Sequence, residues 1–271
     1  MKIRFLLPIL PMMMLPAACG GPVPTAEERK QDDQQAKLAQ IMRVAKTTRD
    51  GGDLGSAANM YERAHRMAPN DKAALLELGN TTLAAGDGDR AAAAFGRAVK
   101  LAPDNPVALM GLGKALITQR KPIEALPHFL AAAKLLPSDP RPHNGMGVAY
   151  DLLGEHEEAQ TAYVDGMEKA PGNASLRNNL ALSMALGGEF EEALRTLGPA
   201  AEAPGAGAKV QLNLALIHGL AGDFNKAAEV ASKVLAPAQV RQNLSYYKRL
   251  QDLPPKDRAA AVLGIGDSIG Q

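Results

Sequence analysis

Among 271 residues, one cysteine (Cys19) and five histidines are the first places to look for chemistry. A lone thiol makes no internal disulfide and no CxxC metal or redox site. His156-Glu157-Glu158 starts like a zinc-protease helix, but the second His would fall where Gln160 stands, so the stretch reads as a solvated helix start. Gly111-Leu112-Gly113-Lys114 has the look of a phosphate-cradling loop, yet Ala108 and Ala115 take the places of the outer Gly and the Ser/Thr. His65, His128, His143, His156 and His218 show no metal-ligand spacing, and no carboxylate pair is set for acid–base work. The expectation is a protein that is not an enzyme, with no metal, no cofactor and no small-molecule substrate. The balance of 30 Lys+Arg against 29 Asp+Glu argues against nucleic acid, which calls for a concentrated basic face.

Cys19 has a different chemistry in view. Lys2 and Arg4 precede an apolar run, Phe5 to Leu15, and then Pro16-Ala17-Ala18-Cys19. Two cations, a short apolar core and small residues before a cut make a secretory signal, too short and too Pro-broken to span a bilayer. The stretch resembles the lipobox of bacterial lipoproteins, whose Cys thiol is lipidated and becomes the new N-terminus. The usual Leu three places before the Cys is Pro16 here, with Leu15 one place further back. The resemblance implies a signal peptide over 1–18, lipidation at Cys19, and, from Gly20 in place of Asp, the outer membrane facing the periplasm. The other reading is ordinary cleavage near Ala18 with Cys19 a stray thiol. Residues 19–36, polar and led by Gly and Pro, read as a lipid-anchored flexible tether. Losing Lys2 and Arg4 takes the cations below the 29 anions, so attraction to anionic lipid is not the anchor.

The elements that would position any binding residue follow a period of 34. Pro69, Pro103, Pro137 and Pro171 keep it, as do Ala57, Ala91, Ala125, Ala159, Ala193 and Ala227. Ala45, Gly79, Gly113, Gly147, Ala181 and Ala215 form a third column. Gly52, Gly86, Gly154, Gly188 and Gly222 form a fourth, with Arg120 its one exception. This resembles the tetratricopeptide repeat: Leu78-Gly79, Leu112-Gly113 and Met146-Gly147 match its first helix, and Tyr61, Phe95, Phe129 and Tyr163 the aromatic of its second. Small residues let paired helices approach, the mid-repeat Gly supplies a positive φ, and the Pro ends the second helix. An aromatic content of only 4% fits a core built of small side chains. The expected fold is all-α, a right-handed superhelical solenoid of about six repeats over 37–241, then a capping helix and frayed C-terminus over 242–271.

In such a solenoid the first helices line the inner groove. Their fifth, sixth and ninth positions hold Arg43, Lys46, Asn80, Lys114, Asn144, Asn178, Asn179 and Asn213, with Asn243 in the cap. Asn is a poor mid-helix residue, so its recurrence asks for a reason. An amide both donates and accepts and can bond an extended backbone without reading its side chains. The candidate groove is therefore Asn80, Lys114, Asn144, Asn178, Asn179, Asn213 and Asn243. The competing reading has these amides bonding a neighbouring helix's backbone or capping an irregular turn. The carboxylate clamp of chaperone adaptors is absent, since the sixth positions of the first four repeats are Arg43, Glu77, Gly111 and Gly145.

Longer stretches carry a closer resemblance. Leu176-Arg177-Asn178-Asn179-Leu180-Ala181-Leu182, Gln211-Leu212-Asn213-Leu214-Ala215-Leu216 and Val240-Arg241-Gln242-Asn243-Leu244-Ser245-Tyr246-Tyr247, with the lipobox-like start, resemble the TadD family of repeat lipoproteins. These serve tight-adherence (Tad/Flp) pilus assembly. The resemblance implies a lipid-anchored scaffold whose partners are the outer-membrane secretin or pilus-assembly components. Other readings are a type IV pilotin-like lipoprotein, an envelope enzyme or its regulatory repeat domain, and a soluble periplasmic peptide-binding chaperone.

Overall fold

The computed structural model describes residues 25–265, and these contain fourteen helices and no strand. Six helix pairs follow in order. They are α1 (Ala26–Asp50) with α2 (Leu54–Met67), α3 (Lys72–Ala84) with α4 (Gly88–Leu101), and α5 (Pro106–Thr118) with α6 (Pro122–Leu135). Then come α7 (Pro140–Leu153) with α8 (His156–Lys169), α9 (Ala174–Leu186) with α10 (Phe190–Glu202), and α11 (Ala208–Leu220) with α12 (Phe224–Ala231). Two further helices, α13 (Pro237–Asp252) and α14 (Pro255–Val262), complete the chain. Each helix of the pairs packs on the next in sequence. From α3 onward the odd-numbered helices also touch the next odd one, which places them on the inside of the curve. The expected superhelical solenoid is the fold found.

Local chemistry sets the helix ends. Asp53, Asp87, Asn105, Asp139, Asn173 and Asp223 accept first-turn backbone N–H groups, relieving donors that a helix start leaves unpaired. Between the helices of a pair, Gly52, Gly86, Gly154, Gly188 and Gly222 sit at φ between +78° and +91°. Arg120 adopts φ 57° at the same place in the third repeat, so the register holds even where the glycine is missing.

The core repeats one device. The Phe95 ring is wedged between Gly79 of its own repeat and Gly111 of the next, and Phe129 between Gly113 and Gly145 in the same way. A methyl group at Gly113 would sit 2.7 Å from the Phe129 ring, and one at Gly145 2.5 Å from it. Both rings are fully buried. Glycine here permits close approach, which fixes how tightly successive inner helices stack.

Two boundaries differ from expectation. The tether expected over 19–36 is helical from Ala26, because Thr25 and Glu28 form a reciprocal capping box that starts α1. The Thr25-Ala26-Glu27-Glu28 pattern carried that signal in the sequence. The C-terminal region holds α13, which packs on α11 and α12 as the expected cap, and then α14, which turns back onto α7 and α9. The signal peptide expected over 1–18, the proposed lipidation site Cys19, and residues 266–271 lie outside the described residues.

Gly145→Ala overpacks the Phe129 ring and should lower unfolding free energy by about 1–3 kcal/mol. Adding Phe129→Leu makes room, so the double variant should lose less than the two single losses combined, as read by urea unfolding followed by circular dichroism.

Candidate functional site

The inner face opens into a cavity of about 490 Å³ spanning α3 to α9, with Lys114, Ile117, Phe129, Arg141, Asn144 and Val148 among its walls. Its two cations differ in availability. The Arg141 guanidinium is committed to Asp139, with Nε 2.9 Å from both carboxylate oxygens, and it holds that carboxyl below its usual range. Lys114 is exposed and makes no ion pair with any described residue. It is the charge in this cavity that a ligand's anion can meet.

Four of the predicted amides form a chain across three inner helices. Asn213 Nδ2 on α11 donates to Asn178 Oδ1 on α9 at 2.6 Å. Asn178 Nδ2 donates to its neighbour's Asn179 Oδ1 at 3.5 Å, near the outer limit for such a bond. Asn179 Nδ2 donates to Asn144 Oδ1 on α7 at 2.9 Å. The amides thus bond one another, not a neighbouring backbone. The chain leaves the Asn144 amide hydrogens unspent at the α7 end, beside Lys114, and the Asn213 carbonyl oxygen unspent at the α11 end. Asn178 is buried, whereas Asn144, Asn179 and Asn213 are half-buried. Asn80 is exposed on α3 and outside the chain. Asn243 is outside it too: it bonds the buried Tyr247 hydroxyl, whose pKa burial pushes up to about 12.

The reason a side chain fits at Asn213 lies in the core. Gly111, Gly145, Asn179 and Asn213 occupy one column at the 34-residue period. The first two must be glycine because Phe95 and Phe129 press against them. By the fifth repeat the ring's place is taken by Leu197, and by the sixth by Ala231, so the inner helix can carry a side chain at Asn213.

A second polar group was not anticipated. Asp151 on α7 is wholly buried and gathers three partners: His156 Nδ1 at 2.8 Å, Tyr163 hydroxyl at 3.0 Å and Ser183 hydroxyl at 2.6 Å. His156, expected as part of a solvated helix start, turns its ring inward to this carboxylate and is only 14% exposed. Ser, His and Asp together suggest nucleophilic catalysis, but the geometry does not support it. The serine donates to the carboxylate and makes no bond to the His156 ring, so the serine–imidazole relay of a catalytic triad is not assembled. The group ties α7, α8 and α9 together. The signal was a column: Arg49, Leu83, Ile117, Asp151, Ala185 and Gly219 share one place in the period, and Asp151 is its one acid. No group of His, Cys, Asp or Glu among the described residues could hold a metal ion.

Paired helices, glycine-clamped rings and an inner groove define a helical-repeat scaffold. The family profile described as tetratricopeptide repeat matches residues 45–106, 76–140 and 110–175, and a second profile of that description matches 174–199. Together they span more than half of the sequence, and the chain belongs to the tetratricopeptide-repeat family. Such repeats are protein-interaction scaffolds. No curated protein sequence matches the chain. Solved structures of the same fold include a tetratricopeptide repeat protein from Parabacteroides merdae, 19% identical with a TM-score of 0.67, covering 86% of this chain and 94% of that one. PilF of Pseudomonas aeruginosa is 16% identical with a TM-score of 0.61, covering 81% and 99%. MamA is 25% identical with a TM-score of 0.51, covering 56% and 90%.

Asn213→Ala strands the buried Asn178 carbonyl and should lower unfolding free energy by about 1–3 kcal/mol. Asn179→Ala frees the half-buried Asn144 oxygen and removes from the buried Asn178 amide only a long 3.5 Å bond, so urea unfolding should show a smaller loss. A reversed order would mean that the amide chain does not hold α9 and α11 together.

Burial raises the Asp151 carboxyl above its ordinary value, against the opposing pull of His156 and Ser183. A folded carboxyl that holds its proton more tightly than the unfolded one favours low pH, and this contribution is lost as pH rises through the raised folded pKa. Lowering pH from about 7 to about 4 should therefore stabilise the native protein relative to Asp151→Asn. A gap between the two that does not move with pH would refute this.

Proposed function

We propose that the chain is a lipid-anchored scaffold that assists Tad/Flp pilus assembly, aiding secretin assembly or escorting pilus components. The observation that carries the scaffold part is the inner groove. Unspent amide hydrogens and the exposed Lys114 ammonium stand at one end and an unspent carbonyl at the other, which suits a polypeptide segment of a partner protein. The pilus assignment is supported by the resemblance of the Asn-bearing stretches and of Pro16-Ala17-Ala18-Cys19 to that family. Anchoring at Cys19 on the periplasmic side of the outer membrane belongs to the same proposal. A type IV pilotin-like role is the second reading, and the likeness to PilF supports it at the level of fold.

Deletion of the gene should abolish surface Flp filaments and reduce secretin multimers; normal levels of both would remove the leading reading. Radiolabelled palmitate should enter the native protein and not Cys19→Ser. No label in the native protein would point instead to a soluble periplasmic protein.

A further inference from the structure

The last helix does not extend the stack. After α13 the chain turns at Leu253-Pro254, and α14 runs back across the inner face onto α7 and α9. Ala259 and Ala260 are its buried residues. Ala260 joins the apolar cluster that holds Ile117, Met146 and Leu152, with Leu263 and Ile265 packed beside it. Ala261 and Val262 pack on the adjoining cluster, which holds Leu182, Ala185 and Leu220. An eight-residue helix thus covers the apolar wall of the groove.

The seat fits a helix better than α14 fills it. A cavity of about 390 Å³ remains beside α14, with Ala260 and Leu152 in its walls and Ile123, 71% exposed, at its side. Alanine is the smallest apolar side chain that could face this space. Arg120, in the same cavity wall, reaches Asp257 in the first turn of α14 at 3.2 Å. Both partners are about half exposed, so the pair guides orientation more than it binds. Arg120 stands in left-handed backbone where the five corresponding turns use glycine. Strain accepted for a particular side chain marks a place where that side chain has a task. Eight residues are also too few to keep a helix formed without the wall beneath it.

We propose that the seat of α14 is a docking site for a short helix of a partner, rich in alanine and leucine and acidic in its first turn. In the free protein α14 is the chain's own weaker occupant, which the partner displaces. Arg120 receives the partner's acid, and a side chain larger than alanine fills the space beside Ala260. This rests on the protein being a scaffold for protein partners but not on which apparatus it serves.

The test uses the full chain and two labelled peptides, one of residues 255–265 and one with Ala260→Leu in that peptide. In fluorescence anisotropy the Ala260→Leu peptide should bind the native chain about tenfold more tightly than the unaltered peptide. Arg120→Glu in the chain should weaken that binding, and Asp257→Arg in the peptide should restore it. The chain variant Ala260→Glu, with its own α14 lifted, should take both peptides more tightly than the native chain does. Equal binding of the two peptides, or binding indifferent to Arg120, would overturn the proposal. Should Ala260→Glu not fold, hydrogen exchange on the native chain decides: α14 amides should exchange about tenfold faster than those of α13, and equal protection would overturn it. The peptides are this chain's own, so failure here leaves the filament and secretin outcomes standing.

Discussion

An aromatic ring held between two glycines on successive inner helices is the constraint on which the rest of the structure depends. Phe95 and Phe129 each bridge two repeats, and neither ring leaves room for a methyl group on either side. The rings set the spacing of α3, α5 and α7, and that spacing shapes the groove between Leu83 and Leu176. The glycine column and the groove are therefore two sides of one contact. At Leu197, where the ring is absent, the same column holds Asn213, whose amide joins the hydrogen-bonding surface of the inner face.

Two polar systems then hold the middle of the solenoid in register. Asp151 sits behind the inner face and binds α8 through His156 and Tyr163, and α9 through Ser183. The asparagines run along the face itself, from α11 to α7. A buried carboxylate with three partners rewards one arrangement of three helices and no slipped alternative, since any slip strands a donor or the charge. The apolar columns alone are alike from repeat to repeat and would tolerate a shift far better.

Most of the architecture was legible because a repeat writes the same local physics several times. The positive-φ turn, the Asp or Asn cap and the small crossing-point residues each recur at a spacing of 34, and even Arg120 kept its place in that register. The asparagines stood out for the same reason, as residues unsuited to mid-helix that nonetheless returned in phase. Their partners were not legible, because the bond from Asn179 to Asn144 crosses between repeats and the period says nothing about which amide faces which. Asp151 was passed over among scattered acids, although from the second repeat to the sixth its column is otherwise apolar or small. The return of α14 to α7 and α9 is a long-range contact made once, with no repetition to reveal it. The start of α1 was missed for another reason: the Pro/Gly-led composition around residue 22 outweighed a capping signal at Thr25 and Glu28.

The amide chain has a sense as well as a position. Both bonds between helices point the same way, donor on the later helix and acceptor on the earlier, and the Asn178–Asn179 bond within α9 links them, so the dipoles of four side chains add along the groove instead of cancelling. With the Lys114 ammonium at the α7 end, the inner face runs from electropositive there to electronegative at α11. A polypeptide laid along it has a carboxyl end and an amino end, and only one of its two directions follows that gradient. If the groove takes a partner segment, as proposed, it would distinguish that segment from the same segment reversed, a selectivity that needs no contact with any particular side chain of the ligand.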